Sequence, residues 1–253
     1  MLEKKTILVT GGLGRVGLAL ARTVTDFGGH VVLTSRSKNK VDEFNNSNSN
    51  DSIEGYCYEH NSDKDVSDLI DFCLNKYGNI NGLVNNAYAA GIKSKFDSVN
   101  LDDWHYAVTD DLALPLKLSM EIVNLKDKTQ ISSIVNVSSI YGVLAPDFSI
   151  YEEQTGREPV PIQYAAMKSA IIQITRYMSV YWAKKNVRVN AVTLGGVFDD
   201  QQENFLEAYG RMVPTGLMIT REEAANSISF LLSTLSSGIN GENIVVDAGR
   251  SAW

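Results

Sequence analysis

The sequence predicts an α/β fold: a doubly wound, mainly seven-stranded parallel sheet with helices on both faces. Three observations predict it. Strand-like apolar runs alternate with amphipathic helical ones along the chain, which implies parallel strands joined by crossover helices. Thr6-Ile7-Leu8-Val9-Thr10 reads as a short buried strand that runs straight into Gly11-Gly12-Leu13-Gly14-Arg15-Val16-Gly17 and then a helix. The chain's 253 residues, 44% of them hydrophobic, suit one domain spanning 1–253 with ample core.

Taken in order, the first turn already carries chemistry. The spacing Gly12-x-Gly14-x-x-Gly17 lies between strand and helix, as a dinucleotide fingerprint requires. Its glycines let the backbone turn tightly and approach a pyrophosphate resting on the helix N-terminus. The sheet is therefore of the Rossmann type, with Gly11, Gly12, Gly14, Arg15, Val16 and Gly17 as candidate cofactor contacts. Leu18 to Phe27 forms the first helix, closed by Gly28-Gly29. The second strand, His30 to Leu33, delivers Thr34-Ser35-Arg36 to the adenosine end. In this fold an acid there binds the ribose hydroxyls of NAD, whereas an arginine accommodates the extra phosphate of NADP. The acid is missing and Arg36 is present, so Ser35 and Arg36 point to NADP, with NAD as the alternative.

Asn45 to Ser52 is a polar run that reads as a solvated loop. The third strand, Ile53 to Tyr58, reaches Glu59-His60. Val66 to Tyr77 is a helix stopped by Gly78, and Asn81 to Val84 a fourth strand ending at Asn85-Asn86. Val99 to Leu125 reads as one long helix, kinked at Pro115. Ser133 to Val137 is a strand that ends on Ser138-Ser139. Residues 146–161, rich in prolines and charges, form a long loop, and loops of that length in compact domains are often functional. Gln202 to Tyr209 is a helix, Arg221 to Leu235 the last long helix, and Glu242 to Val246 the last strand.

Tyr164-Ala165-Ala166-Met167-Lys168 precedes a run, Ser169 to Lys185, that is apolar at helical spacing. Tyr164 and Lys168 then share one helix face. A protonated lysine beside a phenol favours the phenolate and can pull its pKa down from about 10 toward the range of an acid–base catalyst. Tyr181 to Lys185 repeats the spacing and reads as helix surface. What singles out Tyr164 is the glycine turn before it and Ser139 upstream.

At these residues the chain resembles the short-chain dehydrogenase/reductase family, in its short single-domain branch. Thr10-Gly11 with Gly14 and Gly17 looks like that family's glycine motif, and Asn85-Asn86-Ala87 like its Asn-Asn-Ala-Gly, with Tyr88 where the glycine belongs. Ser139 stands three residues before Gly142, as the family's catalytic serine does. Tyr164 and Lys168 look like its catalytic pair, while Arg188-Val189-Asn190-Ala191-Val192 and Val246-Asp247-Ala248-Gly249 look like its last two strand motifs. The resemblance puts Asn85, Asn86, Ala87, Tyr164, Lys168 and Val197 at the cofactor, and Glu59 and His60 near its adenine. It also brings departures. The family has an asparagine seven residues after such a tryptophan as Trp104, supporting a water chain to the lysine; here the position is Asp111, with Asp110 as a competing register. Leu194 replaces a proline. The stretch between Ser139 and Tyr164 is about twice the family's, which makes Tyr141, Tyr151 and Arg157 candidate substrate contacts beside Ser139, or else the loop is surface or oligomer-contact decoration.

The formal charge of −7 argues against a nucleic-acid partner held through phosphates. Two cysteines, Cys57 and Cys73, are too few for a disulfide scaffold, and no spacing suggests a metal site. No apolar run approaches a membrane span and no targeting segment opens the chain, so a cytoplasmic protein without a membrane partner is expected. The resemblance implies reversible hydride transfer between a nicotinamide cofactor and a secondary alcohol or ketone. Tyr164 would manage the proton, Lys168 and Ser139 would assist, and Asp111 would join the relay. The 146–161 loop, Gly195 to Gln201 and the ending Ala252-Trp253 narrow the resemblance to oxidoreductases of flagellin modification and surface-sugar biosynthesis, with a sugar or sugar derivative as substrate and a homodimer or homotetramer as assembly. A cofactor-retaining epimerase or dehydratase, and a non-catalytic dinucleotide sensor or scaffold, are the alternatives.

Overall fold

A computed structural model describes residues 1–59, 62–89, 92, 95–151 and 158–252. Its parallel sheet runs in the order β3-β2-β1-β4-β5-β6-β7. The strands are β1 Thr6–Val9, β2 His30–Ser35, β3 Ile53–Cys57, β4 Gly82–Asn85, β5 Ser133–Ser139, β6 Arg188–Leu194 and β7 Asn243–Val246. All seven residues of β5 and all four of β1 are buried, as near-continuous apolar runs in a doubly covered sheet require. Helices α1 Arg15–Asp26 and α9 Arg221–Leu232 cover one face; Leu20 and Ile228 pack there with Val9 and Val135. On the other face α3 Asp63–Tyr77, α5 Leu114–Asn124 and α7 Ile162–Tyr181 bury Leu69, Leu118 and Met178 against Leu83 and Ile134.

The strand order reverses between β1 and β4. In open α/β sheets ligands bind outside the carboxyl ends of the strands at such a point. The glycine turn after β1 and Asn86-Ala87 after β4 meet there: Thr10 Oγ1 accepts the N–H groups of Asn86 at 3.1 Å and Ala87 at 3.2 Å.

Three segments differ from expectation. The polar run starting at Asn45 is not simply loop, because α2 Lys38–Ser47 extends into it, capped by Ser37. The Asn45 amide grips the backbone of Gly55 from both sides, donating to its carbonyl at 2.9 Å and accepting its N–H at 2.8 Å. Side-chain amides can pair with a strand edge as another backbone would, so composition alone misassigned them. The long helix expected over 99–125 is split into α4 Leu101–Val108, a π-helical turn Thr109–Ala113, and α5. Pro115 causes the break: it has no N–H to give Asp111, and the Leu114 N–H reaches back to Thr109 instead. Pro115 thus sits in the first turn of a new helix, where proline is tolerated. The last long helix stops at Leu232, three residues early, and Thr234–Ser236 form a 3-10 turn; α6 Lys126–Thr129 and α8 Glu203–Gly210 complete the set described here.

Candidate active site

The carboxyl ends of β4 and β5 and the first turns of α7 converge. Ser139 ends β5 and caps the 3-10 turn Ile140–Gly142, its hydroxyl accepting the Tyr141 N–H. That turn lies directly on α7: a Cβ on Gly142 would come within 2.7 Å of the Lys168 carbonyl carbon, so only glycine lets the two backbones meet. Ser138 locks the contact by donating to the Lys168 carbonyl at 2.6 Å. The result is that the Ser139 hydroxyl stands beside the Tyr164 phenol and favours its phenolate.

Lys168 is buried, and its ammonium donates to the Val137 carbonyl at 2.9 Å. Its Nζ stands 5.5 Å from the centre of the Tyr164 ring and 5.9 Å from that of Tyr88. Tyr88 meets Tyr164 edge-on, with centroids 5.8 Å apart. Burial lowers the Lys168 pKa to about 8, against the pull of Asp111. Burial likewise pushes the Tyr164 phenol up to about 12; the Ser139 hydroxyl favours the phenolate, while Tyr88, Asp111 and Tyr141 disfavour it. Desolvation thus raises the Tyr164 phenol, where a depression by Lys168 was expected.

Asp111 is buried in the π-helical turn and accepts the Ala89 N–H. Burial raises its pKa, and Lys168 is the largest opposing influence. Sequence reasoning set the Asp110 register against this position; the structure buries Asp111 in the field of Lys168 and turns Asp110 to Arg36. Arg36 Nη1 donates to the Asp110 carboxylate at 2.8 Å and to the Tyr106 hydroxyl at 3.1 Å. Arg36 remains half exposed.

The glycine turn has the shape a pyrophosphate needs. Gly11 has φ +59, and a Cβ there would lie 2.9 Å from the Ala87 Cα. A Cβ on Gly17 would lie 2.3 Å from the Gly12 carbonyl oxygen, so helix and turn touch. No side chain caps the α1 N-terminus and no acid occupies its first turn, which leaves its N–H groups and positive dipole end to an anion. The residues present thus fit a dinucleotide. Arg15 pairs with Asp199 from the loop after β6, and Val197 in that loop bridges to Ile219. Asn86 holds the turn, donating to the carbonyls of Thr10 at 3.0 Å and Gly11 at 3.1 Å.

Asn85 departs from its expected place beside the cofactor. It is buried with its amide facing the core, donating to Asn136 at 2.8 Å and Ser119 at 3.1 Å. Alternation along β4 explains this, since neighbours on a strand face opposite sides. Ser35 accepts the Ser37 N–H and Glu59 is exposed beyond β3. His60 and Arg157 lie outside the described residues, as do 152–156 of the long loop. The described part of that loop is docked. The hydroxyls of Tyr141 and Tyr151 are hydrogen-bonded, and Ile150 is buried with Phe205, Tyr209 and Val213.

Tyr88, Tyr106, Asp199, Tyr209 and Arg250 were given no role by sequence reasoning, yet border this region. Tyr88 alone carried a signal, as an aromatic in place of an expected glycine. Among the described residues, no cluster of His, Cys, Asp or Glu could hold a metal, and no helix is long and apolar enough to cross a membrane.

A family model described as enoyl-(acyl carrier protein) reductase matches residues 14–251. The chain is 29% identical to post-translational flagellin modification protein A of Campylobacter coli, covering 98% of this chain and 99% of that one. It is also 29% identical to 7alpha-hydroxysteroid dehydrogenase of Bacteroides fragilis, over 98% and 94% of the two chains. A short-chain dehydrogenase from Leptospira borgpetersenii, solved with bound NAD+, superposes with a TM-score of 0.84 at 26% identity, over 99% of this chain and 94% of that one.

Proposed function

The chain belongs to the short-chain dehydrogenase/reductase family, and on that premise we propose that its one catalytic domain moves a hydride between NADP and a secondary alcohol or ketone of a sugar or sugar derivative. The observation that carries the reading is the convergence of Ser139, Tyr164 and Lys168 on one half-buried spot at the carboxyl ends of the strands. A bound nicotinamide would supply the hydride chemistry. Tyr164 gives a proton to the developing alkoxide in reduction and takes it back in oxidation. Ser139 hydrogen-bonds the substrate oxygen and holds the phenol in place. Lys168, anchored on the Val137 carbonyl, sets a positive field under the phenol and stands where a nicotinamide ribose would lie. Asp111 modulates that field from behind.

Gly11, Gly12, Gly14, Val16 and Gly17 would cradle the pyrophosphate, with Asn86 and Ala87 bracing them, and Arg36 would hold the 2′-phosphate of NADP in place of Asp110. Tyr141 and Tyr151 face the substrate. Flagellin modification, the role named for the Campylobacter coli relative, gives the sugar assignment its context, alongside a cytoplasmic homodimer or homotetramer. The test is oxidation of NADPH by the pure protein against a panel of carbonyl sugars. Turnover with one of them supports the reading; conversion of a sugar without net cofactor consumption would mark an epimerase or dehydratase instead.

A further inference from the structure

Among the described residues, Arg250 is a cation beside this site with which no carboxylate pairs. It follows β7 on a tight turn in which Ala248 has φ +56 and Gly249 φ +89. Asp247 builds that turn, accepting the N–H groups of Gly249 at 2.9 Å and Ser251 at 2.7 Å, while the Arg250 N–H returns to the Asp247 carbonyl at 3.1 Å. The φ of Gly249 favours glycine, and a Cβ there would crowd Pro214 at 3.0 Å. The guanidinium is thus presented by a braced backbone, not by a loose tail.

What it is presented to is a small, partly open cleft shared with Ile140, Tyr141, Leu144, Tyr209 and Met212. Arg15 and Arg36 each pair with an aspartate. Among the described residues no carboxylate pairs with Arg250, which is half-buried and donates to the thioether of Met212 at 3.8 Å. Asp147, also on the cleft, is committed elsewhere: it accepts the N–H and hydroxyl of Ser149 at 3.0 and 2.7 Å. Arg250 lies in the field of the Asp147 carboxylate and of Tyr141 and Tyr209, but a half-buried guanidinium that no described carboxylate engages directly keeps N–H donors for a bidentate anion. The cleft also joins the reaction centre through one residue. Tyr141 lines it with its ring and donates its N–H to Ser139 at 3.3 Å.

We propose that Arg250 is a substrate-binding residue that selects a sugar derivative carrying a negative group, a carboxylate or a phosphate, beyond the carbon that exchanges hydride. The proposal rests on the reading that Ser139 and Tyr164 mark the reaction centre. It narrows the substrate from neutral carbonyl sugars to acidic ones and gives the aromatic cleft its purpose: Tyr141 and Tyr209 flank the sugar body while Arg250 holds its charged end.

The test is titration of gluconate, glucose 6-phosphate and glucose into the NADPH-loaded protein, followed by nicotinamide fluorescence, for wild type, Arg250→Gln and Arg250→Lys. Wild type is expected to bind one of the two anions about tenfold or more tighter than glucose, the scale of a charge-assisted bidentate contact. Preference for gluconate identifies the carboxylate, and preference for glucose 6-phosphate the phosphate. Arg250→Gln should lose that preference and Arg250→Lys keep part of it, with NADPH affinity unchanged in both. Equal binding of all three probes by wild type overturns the proposal, and so does a preference that survives in Arg250→Gln. NADPH oxidation is scored in the same samples. Failure of the hydride-transfer reading shows as absent turnover with any carbonyl sugar; failure of the anion subsite shows as absent charge preference.

Discussion

The side of the cleft assigned to the cofactor is made of backbone, and the side assigned to the substrate is made of side chains. Around the glycine turn the contacts are main-chain groups packed so closely that a methyl group on Gly11 or Gly17 would strike them. Around Arg250 they are the rings of Tyr141 and Tyr209 and the end of Met212. Main-chain geometry tolerates almost no residue change and fits a ligand part that every dinucleotide shares. Side chains can be exchanged one at a time.

The largest effect expected is at the junction of the two sides. Tyr164→Phe removes the transferable proton and leaves the glycine turn intact. Turnover should fall about 10²–10⁴-fold, the usual worth of general acid catalysis, while cofactor affinity changes little. Near-normal turnover would take Tyr164 out of the mechanism and dissolve the junction. Next comes a backbone test. In Gly17→Ala the new methyl would overlap the Gly12 carbonyl, which cannot swing aside as a side chain could. Overpacking of this kind costs about 1–3 kcal/mol. Isothermal titration should show cofactor affinity reduced by about tenfold to a hundredfold. Unchanged affinity would mean that the turn is not the rigid cradle described above.

The same contrast explains what could be read from the sequence. Glycine at 12, 14 and 17 and the Tyr164–Lys168 spacing are backbone and periodicity signals, and periodicity survives in a single sequence. The seven-stranded parallel sheet and the glycine turn were therefore legible, as was the stop at Gly78, which has φ +79. The break in the helix at Thr109–Ala113 was half legible: Pro115 announced a disturbance, but not that the missing N–H would widen the preceding turn and bury Asp111. Asn85 misled because the motif gives residue types and not the direction in which each side chain faces. The Arg36–Asp110 and Arg15–Asp199 pairs join residues far apart in the chain and leave no local pattern. The same holds for the cleft that unites Tyr141 with Arg250.

Arg36 sharpens the comparison, because it is a side chain on the backbone-built side. If it receives the 2′-phosphate, Arg36→Ala should weaken NADPH about tenfold and leave NADH nearly untouched. Asp110 now neutralises it, so Asp110→Asn should act in the opposite sense and strengthen NADPH selectively, by less than Arg36→Ala weakens it. Titrating both cofactors into both variants separates the outcomes. Equal losses for the two cofactors in Arg36→Ala would show that the arginine is no phosphate ligand and that NADP preference has another source.

The smallest effect is expected at Asp111, where an acid stands in place of the family's asparagine. Its carboxyl is buried, accepts the Ala89 N–H and lies in the field of Lys168. Ionised, it raises the pKa of the Tyr164 phenol, through the repulsion between carboxylate and phenolate. Asparagine can accept the same Ala89 N–H through its amide oxygen, so the π-helical turn should stand. The negative charge would be gone, and the phenolate that alcohol oxidation needs as its base would form at lower pH. Asp111→Asn should therefore move the pH–rate profile for oxidation to lower pH. Asp111, Tyr164 and Lys168 titrate as a coupled set, so the shift belongs to the profile as a whole and not to one residue. The competing state is an Asp111 held protonated by its own burial, which would carry no charge to remove. Oxidation rates measured across pH for wild type and variant decide between the two. A profile that stays in place or moves to higher pH takes Asp111 out of the proton relay, leaving it a hydrogen-bond acceptor for Ala89 and nothing more.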